Sequence, residues 1–121
     1  MIYIGIDPGS VSGAVGAVDS NGDYLDSFMI QHQDKHILAV GVITAVCTLT
    51  NYPLHMVSPQ KWKKHFHLSS DKNEALDVAR MLWPTAPLKR KKDINIAESL
   101  LIAEYWRDMI NGKTREKSDT R

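Results

Sequence analysis

The opening of the chain, MIYIGIDPGSVSGAVGAVDSNGDYLDSF, constrains its fold most strongly, because an apolar run ends at an aspartate and another begins almost at once. Residues 2–6 have the length and β-branched content of a buried strand. Asp7, at the end of that run, would lie at low dielectric, where an unpaired carboxylate is costly. The pattern therefore predicts a strand, a tight loop, and a group near Asp7 that compensates the charge of its carboxylate.

Two further strands are predicted directly after this loop. Residues 14–18 are small and apolar, Ser20-Asn21-Gly22-Asp23 is a strong turn signal, and residues 24–30 alternate in polarity. These runs predict a three-stranded antiparallel meander. A short strand is also predicted at 54–57, and with it the sheet is expected to be mixed.

Helical spacing dominates the rest of the sequence. Asp34 is an N-cap candidate for a helix over residues 35–50, and Ser58-Pro59 is a favoured beginning for a helix over 60–66. Two more helices are predicted at about 72–82 and 93–110, with Gly112 as a C-terminal stop. Strands followed by helices in this order predict an α/β layer sandwich.

Length and composition predict one soluble domain. The 121 residues are 43% hydrophobic, which suits a single domain over 1–111, followed by a polar tail over 112–121 that we expect to be disordered. Cys47 is the single cysteine, which excludes an intramolecular disulfide and suggests a reducing compartment. No run approaches the roughly 18 apolar residues of a membrane span, so a cytoplasmic protein is expected.

The net charge of +1 does not by itself indicate a polyanionic partner, but the basic residues are clustered. One cluster contains Lys61, Lys63 and Lys64, and a third lies in the tail. Between them is a basic loop formed by Lys89, Arg90, Lys91 and Lys92. A basic surface is therefore expected on a nearly neutral protein.

Glu98 stands among apolar residues in the last predicted helix, DINIAESLLIAEYW, and Asn95 shares its helical face. A helix laid across the sheet would set Glu98 opposite Asp7, and two such carboxylates need a proton or a cation between them. Mg²⁺ suits an oxygen-only, water-retaining site of this kind. The alternatives are that Glu98 is exposed or pairs with Lys92 or Arg107, and that Asp7 only shapes a turn.

Three segments carry a family resemblance: YIGIDPGSVSGAVGAVD, VSPQKWKKHFHLSSDKNEALDVARMLWP and KRKKDINIAESLLIAEYW. In this order they resemble the phage-type branch of the RuvC-like Holliday junction resolvases. The resemblance implies a ribonuclease H-like fold and a dimeric endonuclease of DNA recombination that nicks four-way junctions with Mg²⁺, or with Mn²⁺ in its place. If the protein is phage-encoded, its location is the cytoplasm of a bacterial host.

The resemblance also assigns roles to individual residues. Asp7 and Glu98 match the metal ligands at the end of the first strand and on the last helix. Ser10 lies where backbone and phosphate approach closely, and the implied phosphate contacts are Lys61, Lys64 and Lys72. The basic loop is a further candidate for contact with phosphate.

The sequence departs from the family pattern in two places. The family carries a glutamate on a central strand, followed by a glycine-rich segment, whereas here no glutamate precedes Glu74. That part of the central region is missing. The family also has a second acid one turn before the last, whereas here Asn95 takes that place and Asp93 lies five residues before Glu98. We therefore expect one Mg²⁺ site and weakened or lost cleavage.

Two functions remain open at this point. The first is a compact junction endonuclease, and the second is a catalytically degenerate protein that binds DNA or a protein partner without cleavage. A third class, the actin-like ATPases, shares the GIDPGS type of opening but needs a much longer chain. Loss of a central strand exposes sheet edges, which favours a homodimer, and the apolar helix over 37–49 is a candidate for its surface or for the core.

Overall fold

The computed structural model describes residues 1–8, 12–31 and 49–116. Its strands are β1 (Ile2–Asp7), β2 (Ser12–Asp19) and β3 (Tyr24–Gln31). Its helices are α1 (Pro59–His65), α2 (Lys72–Leu82) and α3 (Ile94–Ile110), the last preceded by a short 3-10 helix, Lys91–Asp93. Together they form a mixed α/β structure in which a three-stranded antiparallel sheet packs against three helices.

The predicted meander is confirmed. β2 lies in the centre of the sheet and pairs antiparallel with β1 and β3, with Gly5 opposite Gly16 in the first pair. The β2–β3 turn is stabilised by the Asp19 carboxylate, whose Oδ1 accepts the backbone N–H groups of Asn21 at 2.9 Å and Asp23 at 3.0 Å. Aspartate commonly closes a turn in this way, because its side chain mimics a backbone carbonyl.

Helix α3 is the centre of the structure. One side of α3 packs on β1 and β2, and the other packs on α2 and α1, so that the apolar core lies on both sides of the helix. Ala97, Leu100 and Leu101 are completely buried. The opposite face of the sheet carries exposed apolar side chains, among them Ile4 and Phe28.

The helix ends follow the sequence signals. Ser58 and Asp71 are the N-caps of α1 and α2, each accepting a backbone N–H bond with its side chain. The ends of α1 and α3 share a pattern of two backbone bonds that turns the chain out of a helix through a left-handed residue. Gly112, with φ of 67°, is that residue after α3, and His67, with φ of 58°, is its counterpart after α1.

The predicted strand at 54–57 is not formed. The segment has no regular structure, and Leu54 and Met56 are exposed. A short apolar run becomes a strand only when a neighbour satisfies its backbone, and among the described residues no strand pairs with it. The described sheet is consequently antiparallel throughout rather than mixed. His55 of this segment instead lies against the ring of Trp106, with ring centroids 4.6 Å apart.

Several predictions lie outside the described residues. They are the Asp34 N-cap, most of the helix over 35–50 with the dimer surface at 37–49, Cys47, and the last part of the tail, 117–121. In the described part of the tail, Arg115 is buried against α3. Within the ranges that the structure describes, no helix has the length and apolarity needed to cross a membrane.

Candidate functional site

Glu98 and Asp7 are brought together where α3 crosses the end of β1. Glu98 is buried, although carboxylates are rarely buried without a partner. Burial raises the pKa of the Glu98 carboxyl, and the negative charge of Asp7 raises that pKa further. Two carboxyl groups that influence each other in this way make a site that favours a shared proton or a cation.

Glycine in both strands allows α3 to come this close to the sheet. A Cβ atom built on Gly5 would lie 1.9 Å from the backbone oxygen of Ser99 and 2.6 Å from the backbone nitrogen of Ala103. A Cβ atom on Gly16, its cross-strand partner, would lie 2.7 Å from the Ser99 hydroxyl. The paired glycines therefore let α3 approach the sheet closely, with its backbone over Gly5 and its side chains over Gly16, and this approach carries Glu98 toward the end of β1.

Two lysines complete the electrostatic environment. The charges of Lys63 on α1 and Lys72 at the first position of α2 oppose the effect of Asp7 and lower the pKa of Glu98. Burial and Asp7 outweigh both lysines, so the net shift is upward. Two carboxyl groups and two lysines therefore act on one another, and they come from four elements: β1, α1, α2 and α3. The spacing of these residues in the sequence could not show that folding brings their charges together.

The donor set fits one Mg²⁺ ion. Mg²⁺ is commonly held by one or two carboxylates, with waters and substrate phosphates filling its remaining positions. Asp7 and Glu98 supply such a pair. Among the residues that the structure describes, no group of three or more His, Cys, Asp or Glu side chains is placed to hold a metal ion.

Asp93 does not join this pair. Its buried carboxylate accepts the backbone N–H of Arg90 at 2.9 Å and a guanidinium N–H of the same residue at 2.8 Å. Although burial by itself would raise the pKa of Asp93, these bonds from Arg90 lower it on balance. Asp93 thus closes a capping box on the short 3-10 helix that precedes α3. Asn95, in the first turn of α3, is partly buried.

The predicted phosphate-contact residues lie in three places. Ser10 lies outside the described residues. Lys61 and Lys64 are exposed on α1, and Lys72 is exposed at the beginning of α2. The basic loop is exposed as well, and it is held at one end by Arg80, whose guanidinium donates to the carbonyl oxygens of Leu88 at 2.6 Å and Lys89 at 3.2 Å.

Sequence reasoning missed a buried ionic cluster on the C-terminal part of α3. Arg115 donates to Asp108 Oδ2 at 2.6 Å and to Glu104, and His65 Nε2 lies 2.7 Å from the same Asp108 oxygen. Burial alone would raise the pKa of Asp108, but hydrogen bonds from His65 and Arg115 lower it on balance. Glu104 and Asp108 lie four residues apart, a spacing that indicates a shared helical face. No feature of the neighbouring sequence indicated that Arg115 would be their partner.

No protein-family model matches this sequence, and no curated protein matches it.

Proposed function

We propose that this chain is a ribonuclease H-like, Mg²⁺-dependent endonuclease that acts on branched DNA. The observation that carries this proposal is the placement of a buried glutamate, Glu98, on the helix that rests on Gly5 and Gly16 of the sheet, where the charge of Asp7 acts on it. The family resemblance assigned the metal to these same two residues. A homodimer, which that resemblance also implies, is part of the proposal.

Each residue of the site has a role in this function. Asp7 and Glu98 would hold the ion through carboxylate oxygens, and a bound Mg²⁺ would supply Lewis-acid polarisation of the scissile phosphate. Lys63 and Lys72 offer positive charge to the neighbouring phosphates of the strand. Because the pKa of Glu98 is raised, the site gains its full charge, and so its full affinity for the ion, only as pH rises through that pKa.

The test is incubation of the purified protein with a labelled four-way junction in Mg²⁺, in Mn²⁺ and in a chelator, with a linear duplex beside it. We expect metal-dependent nicks in the junction that Asp7→Asn abolishes while junction binding persists. Asp77→Asn is the matched control, because Asp77 is an exposed carboxylate on α2. Equal nicking by wild type and Asp7→Asn would show that cleavage does not require the Asp7 carboxylate.

The second candidate function is binding of branched DNA without cleavage. It is favoured by the small donor set, since a paired-metal mechanism needs more acids than the two that the described residues bring together. In the same assay this function predicts junction binding with no nicks in any metal. Mg²⁺ would then leave the melting temperature of wild type unchanged, whereas a functional site predicts a rise that Glu98→Gln removes.

A further inference from the structure

The segment that follows α3 reaches the core through one buried side chain. We call residues 113–116 the C-terminal strap; they have no regular secondary structure. Three of these four residues are exposed, whereas Arg115 is buried between α1 and α3. Because arginine is rarely buried without partners, the groups that surround this side chain determine where the strap is held.

The groups around Arg115 match the shape and charge of a guanidinium ion. Its Nε donates to Asp108 Oδ2 at 2.6 Å, and a terminal nitrogen donates to Glu104. The guanidinium carbon lies 5.2 Å from the centre of the Phe66 ring, which makes a cation–π contact. His67 Nε2 donates to the backbone oxygen of Arg115 at 2.7 Å. Two carboxylates and an aromatic face favour a planar, delocalised cation over an ammonium ion.

The α1 side of this site is held by contacts that do not involve the arginine. Phe66 is completely buried in the core. The preceding residue, His65, has its Nε2 2.7 Å from Asp108 Oδ2, so it joins α1 to α3 directly. The aromatic face and one carboxylate therefore keep their positions relative to each other without the strap.

The α3 side has a second cation of its own. Arg107 lies 3.4 Å from Glu104 and 3.7 Å from Asp108. Its Nε also donates to the backbone oxygen of Ser20 at 3.0 Å, which ties it to the β2–β3 turn. The two carboxylates consequently retain a positively charged neighbour when the strap leaves. A site whose supports are already fixed binds its ligand without first ordering them.

We propose that α1 and α3 form a guanidinium-binding site that exists without its own arginine, and that the strap is a detachable latch that occupies it. The ligand class is a guanidinium cation, either free in solution or on an arginine side chain of an extended peptide. The proposal does not depend on the endonuclease function, because the site uses neither Asp7 nor Glu98.

The experiment removes the arginine and supplies its chemistry from solution. The urea midpoint of Arg115→Ala is measured with increasing methylguanidinium chloride, and with methylammonium chloride as the matched cation. A ligand that binds only the folded state raises stability with its free concentration. We expect a saturable rise in the midpoint of Arg115→Ala with methylguanidinium and none with methylammonium. Wild type, whose site is filled, should show no such rise and measures any denaturing effect of the salt.

Two further variants and a peptide sharpen the test. Adding Glu104→Gln to Arg115→Ala removes one of the two carboxylates and should weaken the recovery. Lys113→Ala, a change at an exposed strap residue, should neither lower the midpoint appreciably nor respond to methylguanidinium. A peptide with the sequence of residues 113–116 should also stabilise Arg115→Ala, whereas the same peptide with lysine in place of arginine should not.

Each outcome decides the proposal. A midpoint of Arg115→Ala that methylguanidinium raises no more than that of wild type overturns the site, and equal recovery with methylammonium overturns its selectivity for guanidinium. If Arg115→Ala is unfolded without ligand, its far-UV circular dichroism is followed as methylguanidinium is added. Recovery of the folded spectrum then supports a site formed by the core, and failure to recover overturns it. None of these readouts involves DNA, so the proposed function is tested separately.

Discussion

Gly5 and Gly16 lie opposite each other on β1 and β2, and α3 rests on this pair with its backbone over Gly5 and the side chains of Ser99 and Leu100 over Gly16. The contact explains how a buried glutamate on a helix comes to lie beside an aspartate at the end of a strand. It also makes the candidate site sensitive to the spacing between the helix and the sheet, since a single methyl group at Gly5 would push the helix backbone away.

Gly5→Ala should lower the free energy of unfolding by about 1–3 kcal/mol, because its new methyl group meets helix backbone that cannot rotate away. Gly16→Ala should cost less, since the nearest atoms there belong to the side chains of Ser99 and Leu100. Urea denaturation of the three proteins measures both costs. An equal loss of unfolding free energy in the two variants would contradict the described packing of the α3 backbone on Gly5.

Glu98→Gln should stabilise the protein at neutral pH. Since the folded pKa of Glu98 is raised, the folded state holds the proton more tightly than the unfolded state does. Wild-type stability therefore falls as pH rises from the ordinary carboxyl pKa, about 4.3, through the raised value. The amide carries no such penalty, so the two stabilities should converge in acid and separate as pH increases.

Urea midpoints measured without divalent cations between about pH 4 and about pH 8 test this expectation. The control is Asp77→Asn, which neutralises an exposed carboxylate and should show no comparable pH-dependent difference. Parallel curves for Glu98→Gln and wild type would mean that Glu98 does not carry the raised pKa.

Arg115→Met should destabilise the protein by up to about 3–5 kcal/mol, because it removes the closer of the two guanidinium groups that pair with the buried carboxylates of Glu104 and Asp108. The other, Arg107, remains 3.4 Å from Glu104 and 3.7 Å from Asp108. Lys113→Met is the matched control, since Lys113 is exposed and only two residues away. Thermal and urea unfolding both report the difference. If both substitutions have a similarly small effect, Arg115 does not pair with buried carboxylates and belongs to an exposed polar tail, as the sequence suggested.

The basic loop should divide into two functions. Arg90 pairs with the buried Asp93, so Arg90→Gln should lower the unfolding midpoint. Replacing Lys89, Lys91 and Lys92 together with glutamine should leave stability nearly unchanged and make DNA binding less sensitive to salt. The two proteins are compared by urea unfolding and by a salt titration of junction binding. A full loss of salt sensitivity from Arg90→Gln alone would place that guanidinium on phosphate instead.

Local patterns in the sequence determined the strands, the turn and the helix ends. The β-branched run predicts β1, alternation predicts β3, and the Ser20-Asn21-Gly22-Asp23 signal predicts the turn between β2 and β3. Ser58 and Asp71 predict two helix beginnings. Each of these features depends on a few neighbouring residues. By contrast, the run over 54–57 has the composition of a strand, but no described strand pairs with it, and a strand does not form without such a partner.

The candidate site and its surroundings were decided only by the tertiary structure. The sequence identified Asp7 and Glu98 as unusual acids, but their coupling requires α3 to settle on Gly5 and Gly16. The burial of Arg115 likewise depends on the chain reversing after α3. Hydrogen bonds within a helix or turn join near neighbours and can be predicted from them, whereas the dielectric and the charges around a buried group come from residues that only folding brings together.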